Sequence, residues 1–368
     1  MAKSRLGELS KAGVSVWIDS LSREMLENGE LQALVDKDSV VGVTSNPTIF
    51  QKAMAEGDWY DEQLAEVAKT VDDPTEIFLQ LAMEDIRRAC DLMRPVWDGG
   101  GGQDGYVSLE VDPTLAYDRE ATFEQARRLW KDVDRPNLLV KIPATRPGLA
   151  AIEDCIAKGT SINVTLIFSL ERYKAVVEAY IRGIERLVAG GGDPAAVASV
   201  ASFFVSRVDS EADKRLDAAG NTKLGGKLAI ANARLAYEHY LEAFSGPRWE
   251  YLASKGATPQ RCLWASTSTK NPSYRDVMYV EELIGPNTVN TMPLETVRAF
   301  ADHGEVKEGS VTKGYNKARK LIEELAAAGV DYDDVTETLE AEGVQKFADS
   351  FDELLEGIRA KRGELAAA

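Results

Sequence analysis

The chain has 368 residues, 44% of them hydrophobic, and a formal net charge of -17, with a pI of about 4.8. That length and apolar fraction exclude a disordered or fibrous chain and allow a large packed core. The acidity argues against nucleic acid or an anionic membrane as partner, so an anionic substrate would need a local basic pocket.

Residues 1–9 lack the apolar stretch of a leader peptide, and no apolar run reaches the roughly 20 residues needed to cross a bilayer. A cytoplasmic protein is expected. From there, short β-rich runs alternate with longer amphipathic ones. The predicted strands are Ser15–Asp19, Val40–Ser45, Gly105–Val111, Leu138–Ile142, Ser161–Phe168, Val197–Val205, Arg261–Ala265 and Thr288–Thr291. Helical spacing marks Leu170–Val188, Leu224–Phe244 and Gly314–Ala328. Strands separated by helices imply parallel βαβ crossovers, and eight of them imply a closed (β/α)8 TIM barrel. The rival, an open doubly wound sheet, often carries a Gly-rich nucleotide fingerprint. Neither GxGxxG nor GxxxxGK[ST] occurs, and the glycine runs Gly99–Gly102 and Gly190–Gly192 read as loops.

Extra helices are expected between the sixth and seventh strands, from Val208 to Gln260, and at the C-terminus. The tail carries an apolar stripe, Phe347, Phe351, Leu354, Leu355 and Ile358, that reads as a docking face. Residues 1–368 are thus expected to form one barrel domain, with 332–368 as a helical extension packed on it. Three separated cysteines (Cys90, Cys155, Cys262), no CxxC pair and only two histidines (His239, His303) argue against a zinc site or a disulfide framework.

Candidate functional residues emerge from strand parity, because side chains two apart share a face. Lys141 lies in Leu139-Val140-Lys141-Ile142. Val140 and Ile142 suit the helix layer, which turns Lys141 toward the barrel axis. By the same test Asp19, Thr44 with Asn46, Glu110, Asn163 with Thr165, and Ser202 with Phe204 point inward near strand C-terminal ends, where barrels of this kind hold their active sites. Each has a plainer reading. Asp19 and Asn46 could be turn or N-cap residues, Glu110 could start a turn, Asn163 and Thr165 could form a polar core layer, and Lys141 could snorkel to the rim. Their coincidence on one face favours chemistry.

Burial disfavours the charged form of an amine and frees it to attack a carbonyl. The resulting iminium draws electrons from the adjacent carbon–carbon bond, and a carboxylate such as Asp19 or Glu110 can take the proton that cleavage releases. Asn46, Asn163 and Ser202 offer donors and acceptors for a polyol. Arg207, just past the sixth strand, is a planar cation suited to phosphate. Lys270, past the seventh, is either a second cation for it or an ordinary loop lysine.

These segments resemble the transaldolase family in its longer bacterial form. The resemblance runs across the chain through Val41-Gly42-Val43-Thr44-Ser45-Asn46-Pro47-Thr48, Val107-Ser108-Leu109-Glu110-Val111-Asp112-Pro113, Leu139-Val140-Lys141-Ile142-Pro143-Ala144-Thr145, Ile162-Asn163-Val164-Thr165-Leu166-Ile167-Phe168, Ser202-Phe203-Phe204-Val205-Ser206-Arg207 and Thr288-Val289-Asn290-Thr291-Met292-Pro293. It implies a (β/α)8 barrel, no metal or organic cofactor, and sugar phosphates as partners, with a homo-oligomer left open. The implied reaction transfers a dihydroxyacetone unit between sedoheptulose 7-phosphate and glyceraldehyde 3-phosphate, in the non-oxidative pentose phosphate pathway.

By resemblance, Lys141 is the Schiff-base nucleophile and Asp19 the base at the C4 hydroxyl. Glu110 is the proton shuttle, acting through a water held by Thr165. Asn46, Asn163 and Ser202 bind the dihydroxyacetone hydroxyls, Phe204 lines the site, and Arg207 binds phosphate. The shorter transaldolases carry a second arginine after the seventh strand. Here the neighbourhood reads Ser268-Thr269-Lys270, so Ser268 and Lys270 are the candidates. A lysine supplies charge without the bidentate fork.

Two rival functions stand beside this one. Fructose-6-phosphate aldolases are shorter and usually carry glutamine and tyrosine where this chain has Glu110 and Phe204. A non-catalytic sugar-phosphate binding barrel would have no need of Lys141, Asp19 and Glu110 together.

Overall fold

Eight parallel strands close on themselves in chain order. They are β1 (Val14–Ile18), β2 (Val40–Val43), β3 (Tyr106–Glu110), β4 (Leu138–Pro143), β5 (Ile162–Ile167), β6 (Ser199–Phe204), β7 (Arg261–Ala265) and β8 (Thr288–Met292), with β8 pairing back onto β1. The structure is a computed structural model describing residues 4–367, and its architecture is a (β/α)8 TIM barrel. All eight predicted strands are present, with ends within two residues of those expected. Residues 1–3, where the reading for a leader begins, and residue 368 of the predicted extension lie outside the described residues. Among those described, no helix is long and apolar enough to cross a membrane.

Helices Leu170–Ala189 and Tyr315–Ala327 lie where periodicity placed them. The predicted Leu224–Phe244 begins later, at Leu228, because Gly225 and Gly226 interrupt it and Gly226 has φ +67°. Between β6 and β7 stand three helices, Ser206–Ala218, Leu228–Ala243 and Gly246–Ser254. Additional helices are spread more widely than expected. Two precede β2 (Arg23–Glu27, Glu30–Asp38), and three precede β3 (Pro47–Ala55, Asp61–Val67, Pro74–Gly99). Four of these five span nine residues or fewer, too short for a clear helical period, whereas Pro74–Gly99 runs for 26 residues.

The barrel interior grades from structural to chemical along its axis. At the N-terminal end the Arg261 guanidinium sits 3.0 Å from Asp104, which also accepts from Ser15 Oγ at 2.7 Å and from Trp17 Nε1 at 3.1 Å. Above them the fully buried Trp17 indole fills the axis. Gly42 is the inward position of β2, and a Cβ there would stand 2.4 Å from the indole. The glycine is therefore a packing requirement. Gly42→Ala is expected to destabilise the protein by roughly 1–3 kcal/mol through overpacking. A lower urea midpoint at unchanged slope would show it, and an unchanged midpoint would refute it.

The helix Tyr332–Ala367 runs back over the C-terminal end of the barrel. Its stripe from Phe347 to Ile358 is buried, with Phe351 meeting Phe78 edge-on at 5.6 Å. Gly343 lets the helix come close to the barrel, since a Cβ there would lie 3.1 Å from Leu166 Cδ2. Leu166 is itself unusual. It has φ +58°, and the β5–β6 register shifts between Val164 and Ile167. This is a bulge of the kind that re-aims side chains beside functional sites. The parity expected for Asn163 and Thr165 holds, and it breaks at the next residue.

Candidate active site

The strand C-termini surround a cavity of about 240 Å³. Nine of the eleven residues singled out from the sequence line it: Asp19, Asn46, Lys141, Thr165, Ser202, Phe204, Arg207, Ser268 and Lys270. The other two sit just beside it. Glu110 faces a small adjoining space of about 10 Å³. Asn163 lies within the wall, accepting from Ser202 Oγ at 2.6 Å and donating to Ser108 Oγ at 3.0 Å. A larger cavity of about 340 Å³ opens at the opposite end of the barrel. It holds no amine with carboxylates, and its Arg261 is already engaged by Asp104 and Ser15.

Lys141 is buried and inward-facing, as parity required, and does not snorkel to the rim. Its ammonium donates to the Ser45 carbonyl at 3.1 Å and lies 3.2 Å from Glu110 Oε2. The second contact is an ion pair too poorly aligned to count as a hydrogen bond, which leaves both Glu110 oxygens and the Thr165 hydroxyl without a hydrogen-bond partner in the protein. The register places Glu110, Lys141 and Asn163 side by side on β3, β4 and β5. Burial raises the Glu110 carboxyl to about 7 against the pull of the Lys141 charge.

Asp19 follows β1 and is only partly covered. Burial pushes its carboxyl above the ordinary carboxylate range. The Lys141 charge, the Thr44 hydrogen bond and the more distant Arg207 and Lys270 charges pull it back. Thr44 donates to Asp19 Oδ1 at 2.6 Å and lies 2.6 Å from Thr291 Oγ1. One hydroxyl proton serves one bond, so Thr291 donates to Thr44 in turn. Asn46 does cap a helix, as its plainer reading held: its Oδ1 accepts from Ile49 N at 3.0 Å. That role uses one oxygen, and the residue still lines the cavity.

Arg207, at the start of Ser206–Ala218, stacks over the Phe204 ring at 5.2 Å. Desolvation holds its guanidinium below the ordinary arginine range. Lys270 is exposed at the mouth and donates to Ser268 Oγ at 2.6 Å. Ten further lining residues carry no role in the sequence reading, among them Thr44, Thr291, Lys52, Lys346 and Phe347. Thr44 shared the inward face of its strand, and that signal was available. Lys346 and Phe347 belong to the C-terminal helix, and the Phe347 ring stands 5.7 Å from Lys141 Nζ. The stripe expected to serve only docking therefore also roofs the cavity.

A closed parallel barrel whose C-terminal mouth holds a buried amine between carboxylates defines a class, the (β/α)8 enzymes that can work on a carbonyl through an amine. A family model described as Transaldolase/Fructose-6-phosphate aldolase matches residues 16–358. The transaldolase of Frankia alni is 57% identical over 361 residues, covering 97% of each chain. That of Parafrankia sp. is 56% identical, covering 98% of this chain and 99% of its own. That of Acidothermus cellulolyticus is 53% identical, covering 97% and 99%. The chain belongs to the transaldolase/fructose-6-phosphate aldolase family.

Proposed function

We propose that Lys141 carries the covalent step of a transaldolase reaction, moving a dihydroxyacetone unit from sedoheptulose 7-phosphate to glyceraldehyde 3-phosphate and giving erythrose 4-phosphate and fructose 6-phosphate. The observation that carries this reading is the buried Lys141 ammonium 3.2 Å from Glu110, in the wall of a cavity that Asp19 also lines.

The Lys141 amine adds to the C2 carbonyl of the donor. Loss of water gives an iminium, with protons passing through Glu110, whose carboxyl near 7 can both give and take them at neutral pH. Asp19 takes the proton of the C4 hydroxyl. The C3–C4 bond then breaks, its electron pair moves into the iminium, and the aldose phosphate leaves with a new carbonyl. The enamine carbon next attacks the aldehyde of the acceptor, and Asp19 returns the proton to the oxygen formed there. Water adds to the new imine and restores the free amine. The iminium is the electron sink, so the route calls for no metal or organic cofactor. Asn46, Asn163 and Ser202 hold the three-carbon unit, Thr165 positions the water through which Glu110 acts, and Arg207, Ser268 and Lys270 take the phosphate.

Glu110 and Phe204 favour transfer over release. At the second position phenylalanine puts a hydrocarbon ring, packed against Phe168 at 5.1 Å, where a hydroxyl could help protonate the enamine. Assay of the full chain with fructose 6-phosphate and erythrose 4-phosphate should show formation of sedoheptulose 7-phosphate far exceeding free dihydroxyacetone. Dominant dihydroxyacetone release would make the protein a lyase instead. The reading carries with it a cytoplasmic setting, sugar phosphates as ligands without nucleic-acid or membrane partners, and residues 332–368 acting as part of the one barrel domain.

Glu110→Gln is expected to slow adduct formation by roughly 10²–10⁴-fold. In the wild type the rate of adduct formation should bend near pH 7, where the carboxyl changes form. Single-turnover rates across pH 5–9 test this, and a bend that persists in the variant would assign it to another group.

A further inference from the structure

The mouth of the cavity carries more positive charge than the sequence analysis assigned. Besides Lys141, four cations line it: Arg207 and Lys270 from the strand ends, Lys52 from the helix Pro47–Ala55, and Lys346 from the C-terminal helix. The wall holds one carboxylate against them, Asp19. Among the described residues, none of the four forms a salt bridge with a carboxylate. Glu342 lies one turn before Lys346 on the same helix and Glu295 faces Lys270, yet neither is paired with its lysine.

The cations also sense each other. Arg207, ahead of burial and Lys52, holds the Lys346 ammonium below the ordinary lysine range. Burial, Arg207 and Lys346 do the same to Lys270, against the opposing Glu295 and Asp19 charges. Like charges gathered at one end of a chain with net charge -17 need a compensating anion. A phosphate monoester carries about -1.5 to -2 at neutral pH and offers three acceptor oxygens.

We propose that Lys346 and Lys52 are phosphate ligands that determine the preference for phosphorylated sugars, so that the C-terminal helix completes the substrate site. The proposal rests on the sugar-phosphate reading above and adds two residues to it. Phosphate bound at the mouth bridges the C-terminal helix, the helix Pro47–Ala55 and the end of β6. The adjacent Phe347, close to Lys141, is then held over the reacting carbon by the same contact that recognises the far end of the sugar.

The test uses the full chain and two readouts. Binding of inorganic phosphate, followed by ³¹P NMR, needs no turnover. The second is the ratio of kcat/KM for fructose 6-phosphate to that for unphosphorylated fructose. Both should fall about tenfold in Lys346→Gln, the scale of one charged contact, and fall further in Lys346→Gln combined with Lys52→Gln. Lys346→Arg should restore both. Phosphate affinity and ratio equal to wild type in the double variant would overturn the proposal. The two readings fail separately: absence of a borohydride-trapped adduct on wild-type Lys141 would sink the reaction, and the phosphate titration would still decide the ligands.

Discussion

Lys141→Ala is expected to lower turnover by on the order of 10⁴-fold or more, the scale on which loss of a covalent nucleophile acts. Borohydride reduction in the presence of fructose 6-phosphate should place a stable adduct on the peptide containing Lys141 in the wild type and none in the variant. The protein should remain folded. Lys141 is the charge that opposes the rise in the Glu110 carboxyl, so removing it lets that carboxyl stay neutral and spares the core an unpaired anion. Unchanged melting with abolished turnover is the combined signature. A wild-type adduct on a different lysine, or residual turnover within tenfold of wild type, would end the role given to Lys141.

Asp19→Asn should separate two steps. Its carboxylate lies at the mouth beside Lys141 and accepts from Thr44. Asparagine keeps an acceptor for that hydroxyl but cannot take a proton. Carbon–carbon cleavage should slow by roughly 10²–10⁴-fold, the contribution of one positioned base. Imine formation precedes that proton transfer and should continue, so the trapped adduct should accumulate as uncleaved ketose. Rapid-quench measurement of adduct and released aldose reads the two steps independently. Parallel loss of both would move Asp19 from proton transfer to substrate binding.

Much of the barrel could be read in advance because its strands are short, apolar and separated by strong helical periods. Parity alone turns Lys141, Asn163, Ser202 and Phe204 toward the axis, since alternation is a local property of extended backbone. What escaped was non-local. Phe347 reads as part of a docking stripe and Lys346 as nothing in particular, and nothing in the local pattern says that the helix crosses the barrel mouth. Thr291 stands in the wall because β8 closes onto β1, bringing it next to Thr44 across 247 positions of sequence. The bulge at Leu166 breaks alternation through one backbone angle, and leucine gives no warning of a positive φ.

Trp17 has a consequence beyond packing. Its indole plugs the axis between the two end cavities, with Gly42 closing tightly against it. The barrel axis is therefore filled between its two ends, and the cavity that Lys141 lines lies on the C-terminal side of that plug. On the proposed reaction, solvent that would hydrolyse the enzyme–sugar link and the second sugar both approach from that side. A docking aldose would then displace the water that competes with it, so productive exchange and wasteful leakage are set against each other at the same end of the barrel.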